Sequence, residues 1–200
     1  MPPKVKNCTK PCIGIKKAVR DVPFTNDLKV CIIFFNYVQI SANARNLIME
    51  LTQGVRFDTL ELSPEILRAL MERNIVQSTP VQAGCIPPML EWRDVIAKAP
   101  TGTGKTFAYG IPIVEHIDPE DESVQAVILA PTRELAIQIT DELRILYTYK
   151  PGIRAVCLYG GAPIGRQIDA LKKHPQIVVA TPGRLSDHMK RRSVRVDTAK

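Results

Sequence analysis

A glycine-rich segment at residues 99–106 has the residue types and spacing that bind nucleotide phosphates. It reads Ala-Pro-Thr-Gly-Thr-Gly-Lys-Thr, and its two glycines let the backbone bend until successive N–H groups point into one anion-sized concavity. The amine of Lys105 would reach the β- and γ-phosphates and the hydroxyl of Thr106 would hold Mg²⁺, so we predict both as catalytic residues. The predicted nucleotide-binding residues here are Thr101, Gly102, Thr103, Gly104, Lys105 and Thr106, and the predicted metal ligand is Thr106.

A phosphate loop of this kind lies between a strand and a helix, and the surrounding sequence predicts both. From residue 57 onward, apolar runs alternate with segments of helical period, separated by Gly, Pro and Thr, which is the pattern of βαβ units. Ser63-Pro64 and Thr79-Pro80 are typical helix starts, with a capping hydroxyl before a proline. The pattern predicts an α/β fold with a parallel sheet flanked by helices. Its predicted strands are 95–97, 124–130, 154–158 and 176–180, and its main predicted helices are 105–116, 133–147, 163–174 and 183–191.

Three further motifs follow the phosphate loop in order along the chain. They are Pro-Thr-Arg-Glu-Leu-Ala at 131–136, Gly-Gly at 160–161 and Thr-Pro-Gly-Arg at 181–184. With these motifs, residues 57–200 resemble the DEAD-box ATP-dependent RNA helicases, a family whose phosphate loop begins with Ala as this one does. The resemblance implies an incomplete RecA-like P-loop domain of the α/β class, with ATP and Mg²⁺ as cofactors. It also implies RNA-stimulated ATPase and RNA-unwinding activity in the complete protein.

The same resemblance implies RNA as the partner. In the family, the segments matching these three motifs bind the sugar–phosphate backbone of one strand, so binding would not depend on base sequence. Each motif follows the carboxyl end of a predicted strand, where open α/β sheets bind ligands. Arg133 and Arg184 could pair with phosphates, although either arginine taken alone would more simply form a salt bridge at a helix start. The residues assigned to RNA binding are Pro131, Thr132, Arg133, Gly160, Gly161, Thr181, Pro182, Gly183 and Arg184.

Gln82 is predicted to select the base of the nucleotide. Its amide offers one donor and one acceptor, which can pair with N6 and N7 of adenine but not with O6 and N7 of guanine. Residues 79–82, Thr-Pro-Val-Gln, resemble the end of the family's Q motif, in which Phe57 would stack on adenine; a core role for Phe57 is nearly as compatible with the sequence. The family usually has Gly where Asn74 stands and Pro where Ser78 stands, and these departures concern the shape of the loop.

Phosphoryl transfer also needs carboxylates to hold Mg²⁺ and to orient the attacking water, and the family supplies them from an Asp-Glu-Ala-Asp sequence. This chain lacks that sequence, and Asp141-Glu142 falls inside a predicted helix and cannot replace it. We therefore expect a truncated chain, without the second RecA-like domain, that is inactive as an ATPase and helicase by itself. Two alternatives stay open: a truncated nucleotide-regulated RNA-binding module without catalysis, and another P-loop class such as a DNA helicase.

The N-terminal quarter of the chain differs from the rest in composition. Residues 1–48 hold eight Lys and Arg against two Asp, whereas residues 49–200 hold nineteen basic against eighteen acidic residues. The body of the protein is thus nearly neutral, and its overall basicity gives little support for nucleic-acid binding. We predict a basic and apolar extension outside the fold at 1–48, a Q-motif region at 49–92 and a partial RecA-like ATP-binding domain at 93–200. Met49 is an alternative start to Met1, because codons for Ala-Arg-Asn at 44–46 can contain a bacterial ribosome-binding signal.

The cysteines and the apolar segments bear on the location of the protein. Five cysteines are an odd and scattered set, which favours reduced thiols and a cytoplasmic location. The apolar run at 31–40 contains Asn36 and Gln39 and is too short to span a bilayer, so we expect no membrane association. No protein partner follows from the sequence.

Overall fold

The computed structural model describes residues 31–32, 54–95, 97, 99–197 and 199 of the chain. Strands and helices alternate from residue 126 onward, as the apolar runs and helical periods predict. The elements in chain order are β1 (Cys31–Ile32), a 3-10 turn (Phe57–Thr59), α1 (Pro64–Met71), α2 (Pro80–Leu90), α3 (Lys105–His116), β2 (Ala126–Leu129), α4 (Arg133–Leu146), β3 (Ala155–Leu158), α5 (Ile164–Leu171), β4 (Ile177–Ala180) and α6 (Pro182–Lys190).

The described strands form one parallel sheet with the order β1-β2-β4-β3. Strand β4 lies between β2 and β3, and its last residue, Ala180, pairs with Leu129 on one side and with Leu158 on the other. The last three predicted strands and the parallel α/β class are therefore confirmed. Because these strands end in register, the loops that follow them begin side by side at one edge of the sheet.

Helices cover both faces of the sheet. All four residues of β4 are buried, and alternate residues of a strand point to opposite faces. Ile177 and Val179 join a core with residues of α1 to α4, whereas Val178 and Ala180 join a second core with residues of α5 and α6. A strand buried on both faces is typical of the centre of a parallel sheet. The two helix layers therefore hold the strand ends and their loops in place.

Two local predictions differ from the structure. The sequence predicts a strand at 95–97, but Val95 and Ala97 lie outside any strand, and Ile96 is not among the described residues. A strand needs a hydrogen-bonded neighbour, and the described pairs of the sheet involve other residues. Ser63 does precede α1, but its buried hydroxyl has no hydrogen-bond partner, so it does not cap the helix as predicted.

The structure describes one short piece of the N-terminal extension. Strand β1 pairs with β2, so that Cys31 lies opposite Ile128 and Ile32 lies opposite Leu129. The remainder of 1–48 and the predicted boundary at residue 49 lie outside the described residues, and the predicted division of the chain stays a prediction. In the part of the chain that the structure describes, no helix is both long and apolar enough to cross a membrane.

The carboxylate of Glu115 connects three segments on the face of the sheet that α1 to α4 cover, and its removal should destabilise the fold. Oε1 of Glu115 accepts a hydrogen bond of 2.7 Å from the backbone N–H of Ser63, and its other oxygen pairs with Nζ of Lys150. The side chains of Glu115 and Lys150 are only 13% and 17% exposed. Glu115→Ala should lower the free energy of unfolding by about 2 kcal/mol, because the backbone N–H of Ser63 loses its acceptor and the largely buried ammonium of Lys150 loses its carboxylate. Urea denaturation measures this change.

Two further variants separate the ion pair from the hydrogen bond. Glu115→Gln keeps an acceptor for Ser63 and should cost about half as much as Glu115→Ala. Asp169→Ala removes an exposed pair with Lys172, in which both side chains are 71% exposed, and should cost less than about 0.5 kcal/mol. If Glu115→Ala were no more destabilising than Asp169→Ala, Glu115 would not connect these segments in solution.

Candidate nucleotide-binding loop and nucleic-acid interface

The two glycines of the phosphate loop have backbone angles that favour glycine. The φ angle is 82° at Gly102 and 75° at Gly104, the residue that precedes α3. A Cβ atom at Gly104 would also lie 2.3 Å from Nε2 of Gln82, whereas one at Gly102 would meet no atom within 4 Å. The backbone conformation therefore favours glycine at residue 104, where a side chain would also displace the amide of Gln82, and Gly102 borders open space near the start of α3.

Lys105 lies across the loop. Its Nζ donates hydrogen bonds to the backbone oxygens of Ala99 at 2.6 Å and Pro100 at 2.5 Å. The hydroxyl of Thr103 donates to the same oxygen of Pro100 at 2.8 Å. Thr106 stands in the first turn of α3, where backbone N–H groups lack intrahelical partners and the helix dipole is positive. The segment therefore brings a cation, a hydroxyl and a positive helix end together, as an anion site requires.

The start of α2 is bonded directly to the phosphate loop. Gln82 is 4% exposed; its Oε1 accepts from the backbone N–H of Thr79 at 2.9 Å, and its Nε2 donates to the backbone oxygen of Gly104 at 3.0 Å. The hydroxyl of Thr79 donates to the backbone oxygen of Thr103 at 2.8 Å. The sequence predicts Thr79 as a helix start but not its contact with the phosphate loop; Thr followed three residues later by Gln is the pattern of a capping box. The residue predicted to read the base therefore also holds the loop predicted to bind the phosphates.

Phe57 is buried in the core of the domain. It is 2% exposed and belongs to the same core cluster as residues of α1 to α4. Of the two roles compatible with the sequence, the geometry favours the core role, because burying an aromatic ring removes a large apolar area from water. The neighbouring loop accommodates both departures from the family pattern. Asn74 adopts a φ angle of 56°, which asparagine tolerates, and the buried hydroxyl of Ser78 accepts from the backbone N–H of Val55 at 3.0 Å.

The three motifs predicted to bind a nucleic-acid backbone meet at one edge of the sheet. Residues 131–133, 160–161 and 181–184 follow β2, β3 and β4, whose last residues are in register. The backbone N–H of Thr181 donates to the oxygen of Leu158 at 2.9 Å, which holds the start of α6 against the end of β3. The structure therefore brings all nine predicted residues to the carboxyl edge of the sheet, together with the N-termini of α4 and α6.

The glycines and arginines of this edge are arranged around open space. Cβ atoms at Gly160 and Gly183 would meet nothing within 4 Å, and one at Gly161 would lie 3.8 Å from Nη1 of Arg133. Arg133 is 63% exposed and pairs with Glu134, whose pKa it lowers, so a phosphate would compete with an ionised carboxylate. Arg184 is half-buried, and its Nη1 donates to the backbone oxygen of Ala162 at 3.1 Å. The edge offers exposed backbone and two guanidinium groups to an extended anionic chain.

The family model for DEAD/DEAH box helicases matches residues 79–199 of the chain. The ATP-dependent RNA helicase CshA of Limosilactobacillus reuteri is 49% identical over 146 residues, which cover 73% of this chain and 29% of that protein. The DEAD-box ATP-dependent RNA helicase CshA of Bacillus subtilis is 48% identical over 147 residues, with 72% and 29% covered. The chain thus spans 29% of the length of these relatives.

Two solved structures are similar in fold to most of this chain. A DEAD box protein from the hyperthermophile Methanococcus jannaschii has a TM-score of 0.69 and 38% identity, covering 74% of this chain and 40% of that one. A variant of Saccharomyces cerevisiae Dbp5 bound to RNA and ADP BeF3 has a TM-score of 0.64 and 29% identity, covering 72% and 36%. The family match begins at Thr79, whose side chain bonds to the phosphate loop, and runs through all three motifs that the sequence predicts to bind a nucleic-acid backbone. The chain belongs to the DEAD/DEAH box helicase family.

Proposed function

We propose that this chain carries the ATP site and one part of the RNA-binding surface of an ATP-dependent RNA helicase. The observation that carries the proposal is the set of hydrogen bonds joining Gln82 and Thr79 to the phosphate loop. These bonds would couple the amide proposed to select the base to the loop proposed to bind the phosphates. A phosphate loop without such an amide would not select the base. The names of the curated relatives, which are ATP-dependent RNA helicases, support the same function for the complete protein.

The nucleotide would be held at three places. The N–H groups at the start of α3, with Gly102 and Gly104 in their left-handed conformations, would bind the phosphates. Lys105 would exchange two neutral carbonyl acceptors for charged phosphate oxygens. Gln82 would bind adenine, since each of its amide atoms has a second hydrogen-bonding position beyond those used by Thr79 and Gly104.

Mg²⁺ fits this arrangement as a companion of the nucleotide. The hydroxyl of Thr106 supplies an oxygen of the kind Mg²⁺ prefers, at the turn of α3 that faces the phosphates. A single hydroxyl is a weak site, so the nucleotide phosphates would supply further ligands. Bound there, the ion would neutralise phosphate charge during hydrolysis.

RNA would bind along the carboxyl edge of the sheet through its sugar–phosphate backbone. The open space at Gly160 and Gly183 would admit a strand close to the protein backbone, and Arg133 and Arg184 would pair with phosphates. The remaining members of this proposed surface are Pro131, Thr132, Gly161, Thr181 and Pro182.

The free thiols of Cys85 and Cys157 support the cytoplasm as the compartment in which the protein acts.

The base preference of the nucleotide site tests the proposal. We expect the chain to bind mant-ATP at least about tenfold more tightly than mant-GTP, because guanine offers O6 where Gln82 needs a donor. Gln82→Ala should abolish this preference and weaken binding of both nucleotides, since it also removes the hydrogen bond to Gly104. Fluorescence titration of the purified chain measures both affinities.

Gln138→Ala is the matched control, because Gln138 is an exposed residue of α4 whose side chain donates a hydrogen bond to Glu142 on the same helix. It should leave both affinities unchanged. Equal binding of the two nucleotides by the unaltered chain would contradict ATP as the substrate of this site.

A further inference from the structure

Two buried polar side chains connect the helix that begins at Pro182 to the glycine loop at 160–161. His188 of α6 is 0% exposed, and its Nε2 lies 3.0 Å from Oε1 of Gln167 on α5, which is 6% exposed. Nε2 of Gln167 in turn donates to the backbone oxygen of Tyr159 at 3.0 Å. Tyr159 immediately precedes Gly160, so this chain of hydrogen bonds ends on the peptide group that opens the glycine loop.

The backbone oxygen of Tyr159 fixes the direction of each hydrogen bond in this series. The oxygen of Tyr159 is only an acceptor, so the amide nitrogen of Gln167 must face it, and the amide oxygen must face His188. Nε2 of His188 therefore carries the proton, and Nδ1 of the neutral ring lies 2.7 Å from the hydroxyl of Ser193, whose single proton it shares with the backbone oxygen of His188 at 3.1 Å. Burial, with the nearby charge of Arg184, lowers the pKa of His188, in agreement with a neutral ring. Every polar atom of the two side chains thus has a partner of the correct kind.

The glycine loop is held to α6 at both of its ends. At one end, Tyr159 is reached from His188 through Gln167, and at the other, Arg184 donates to the oxygen of Ala162. Gly160 and Gly161 lie between these two anchors and are exposed. The first turn of α6 and the glycine loop are therefore linked at two places, and a shift of one relative to the other would break at least one of these hydrogen bonds.

We propose that Gln167 and His188 are positioning residues that set the spacing between the glycine loop and the first turn of α6, and through it the affinity for RNA. This proposal rests on the proposed binding of RNA to those two segments. Two sites on one strand are separated by a fixed phosphate spacing, so a displaced loop would bind the strand less tightly even though its own residues are intact. Neither residue touches the RNA in this role.

Three variants separate positioning from mere packing. His188→Gln places a donor near the position of Nε2 and should keep the bond to Gln167. His188→Asn places its amide near the position of Nδ1, so it keeps the hydrogen bond with Ser193 but loses the link to Gln167. Gln167→Met keeps the volume of the side chain and loses the hydrogen bond to Tyr159. The first variant is the rescue, and the other two break the connection at different places.

Two measurements on the full chain test the proposal. The amide resonance of Gly160 reports the bond to Tyr159 directly, because the Tyr159 oxygen and the Gly160 N–H belong to the same peptide group. The second measurement is the affinity for a fluorescein-labelled 15-nucleotide oligouridylate. His188→Asn and Gln167→Met should shift the Gly160 resonance and weaken RNA binding about tenfold, whereas His188→Gln should keep both near the unaltered values. Binding of mant-ATP should stay within about twofold in all three.

The outcomes distinguish this proposal from the function on which it rests. An unshifted Gly160 resonance in His188→Asn and Gln167→Met would overturn the positioning role, as would His188→Gln behaving like His188→Asn. An unaltered chain that binds no RNA would overturn the RNA-binding proposal, and with it the effect on affinity, while the Gly160 resonance would still decide whether the loop is positioned. Amide resonances of Val127 and Ile128 in the centre of the sheet show whether each variant is folded.

Discussion

Replacement of Lys105 by alanine should lower the affinity of the chain for ATP by about 100-fold or more and leave its fold intact. The ammonium group lies on the oxygens of Ala99 and Pro100, at the mouth of a loop whose backbone N–H groups and helix end favour an anion. Removing a charged partner of a desolvated phosphate costs about 2–5 kcal/mol, which corresponds to a factor between about 30 and several thousand. Titration with mant-ATP, with thermal unfolding of the same samples, measures affinity and stability together.

The effect of Lys105→Ala on ATP binding is compared with that of a second lysine substitution. Lys172→Ala removes the same charge from an exposed residue at the C-terminal end of α5, where it pairs with Asp169, so it should change ATP binding less than about twofold. If Lys105→Ala bound ATP within threefold of the unaltered chain, the phosphate loop would not be the nucleotide site. A loss of thermal stability together with binding would point instead to the hydrogen bonds that Lys105 makes with its own loop.

The elements that sequence predicts well are those specified by local pattern. Helix α3 begins at Lys105 and ends at His116, as predicted, because the glycine before it adopts a left-handed conformation and the apolar period continues to its end. Strands β2, β3 and β4 are apolar runs between turn-forming residues, and each is slightly shorter in the structure than predicted. The hydrogen-bonded neighbours that make an apolar run a strand lie far away in sequence, which is why Val95 and Ala97 could be apolar without belonging to a strand.

The candidate site also combines features set by local sequence with contacts between residues that are distant in sequence. The glycines and the lysine of the phosphate loop are predictable because their spacing is local. The bond from Gln82 to Gly104 spans 22 residues, and the bond from His188 to Gln167 spans 21, so neither is visible in a periodicity or a short motif. Phe57 is a different case, because its place in the sequence is compatible with two roles. An isolated aromatic residue before a helix can stack on a base or pack in the core, and its burial in the structure favours the core.

Replacement of both Arg133 and Arg184 by alanine should weaken RNA binding about 100-fold at low salt. Each arginine lies at the start of a helix on the carboxyl edge of the sheet, and each would neutralise one phosphate of a strand lying along that edge. A single substitution should therefore cost about tenfold, with Arg184→Ala the larger because it also frees the oxygen of Ala162. The affinity for a 15-nucleotide RNA, measured between about 50 and 200 mM salt, tests this prediction.

The salt dependence distinguishes phosphate binding from a change of fold. For single strands, the slope of log affinity against log salt falls by about 0.7 for each phosphate that the protein no longer neutralises, so the double variant should lower it by about 1.4. Arg195→Ala removes a charge beyond the C-terminus of α6, at the opposite end of that helix, where Arg195 pairs with Asp197; it should leave the slope unchanged. Because phosphate groups carry no base information, oligouridylate and oligoadenylate should respond alike to the double substitution. A strong base preference, or a slope unaffected by the loss of both arginines, would mean that the strand is bound elsewhere than on this edge.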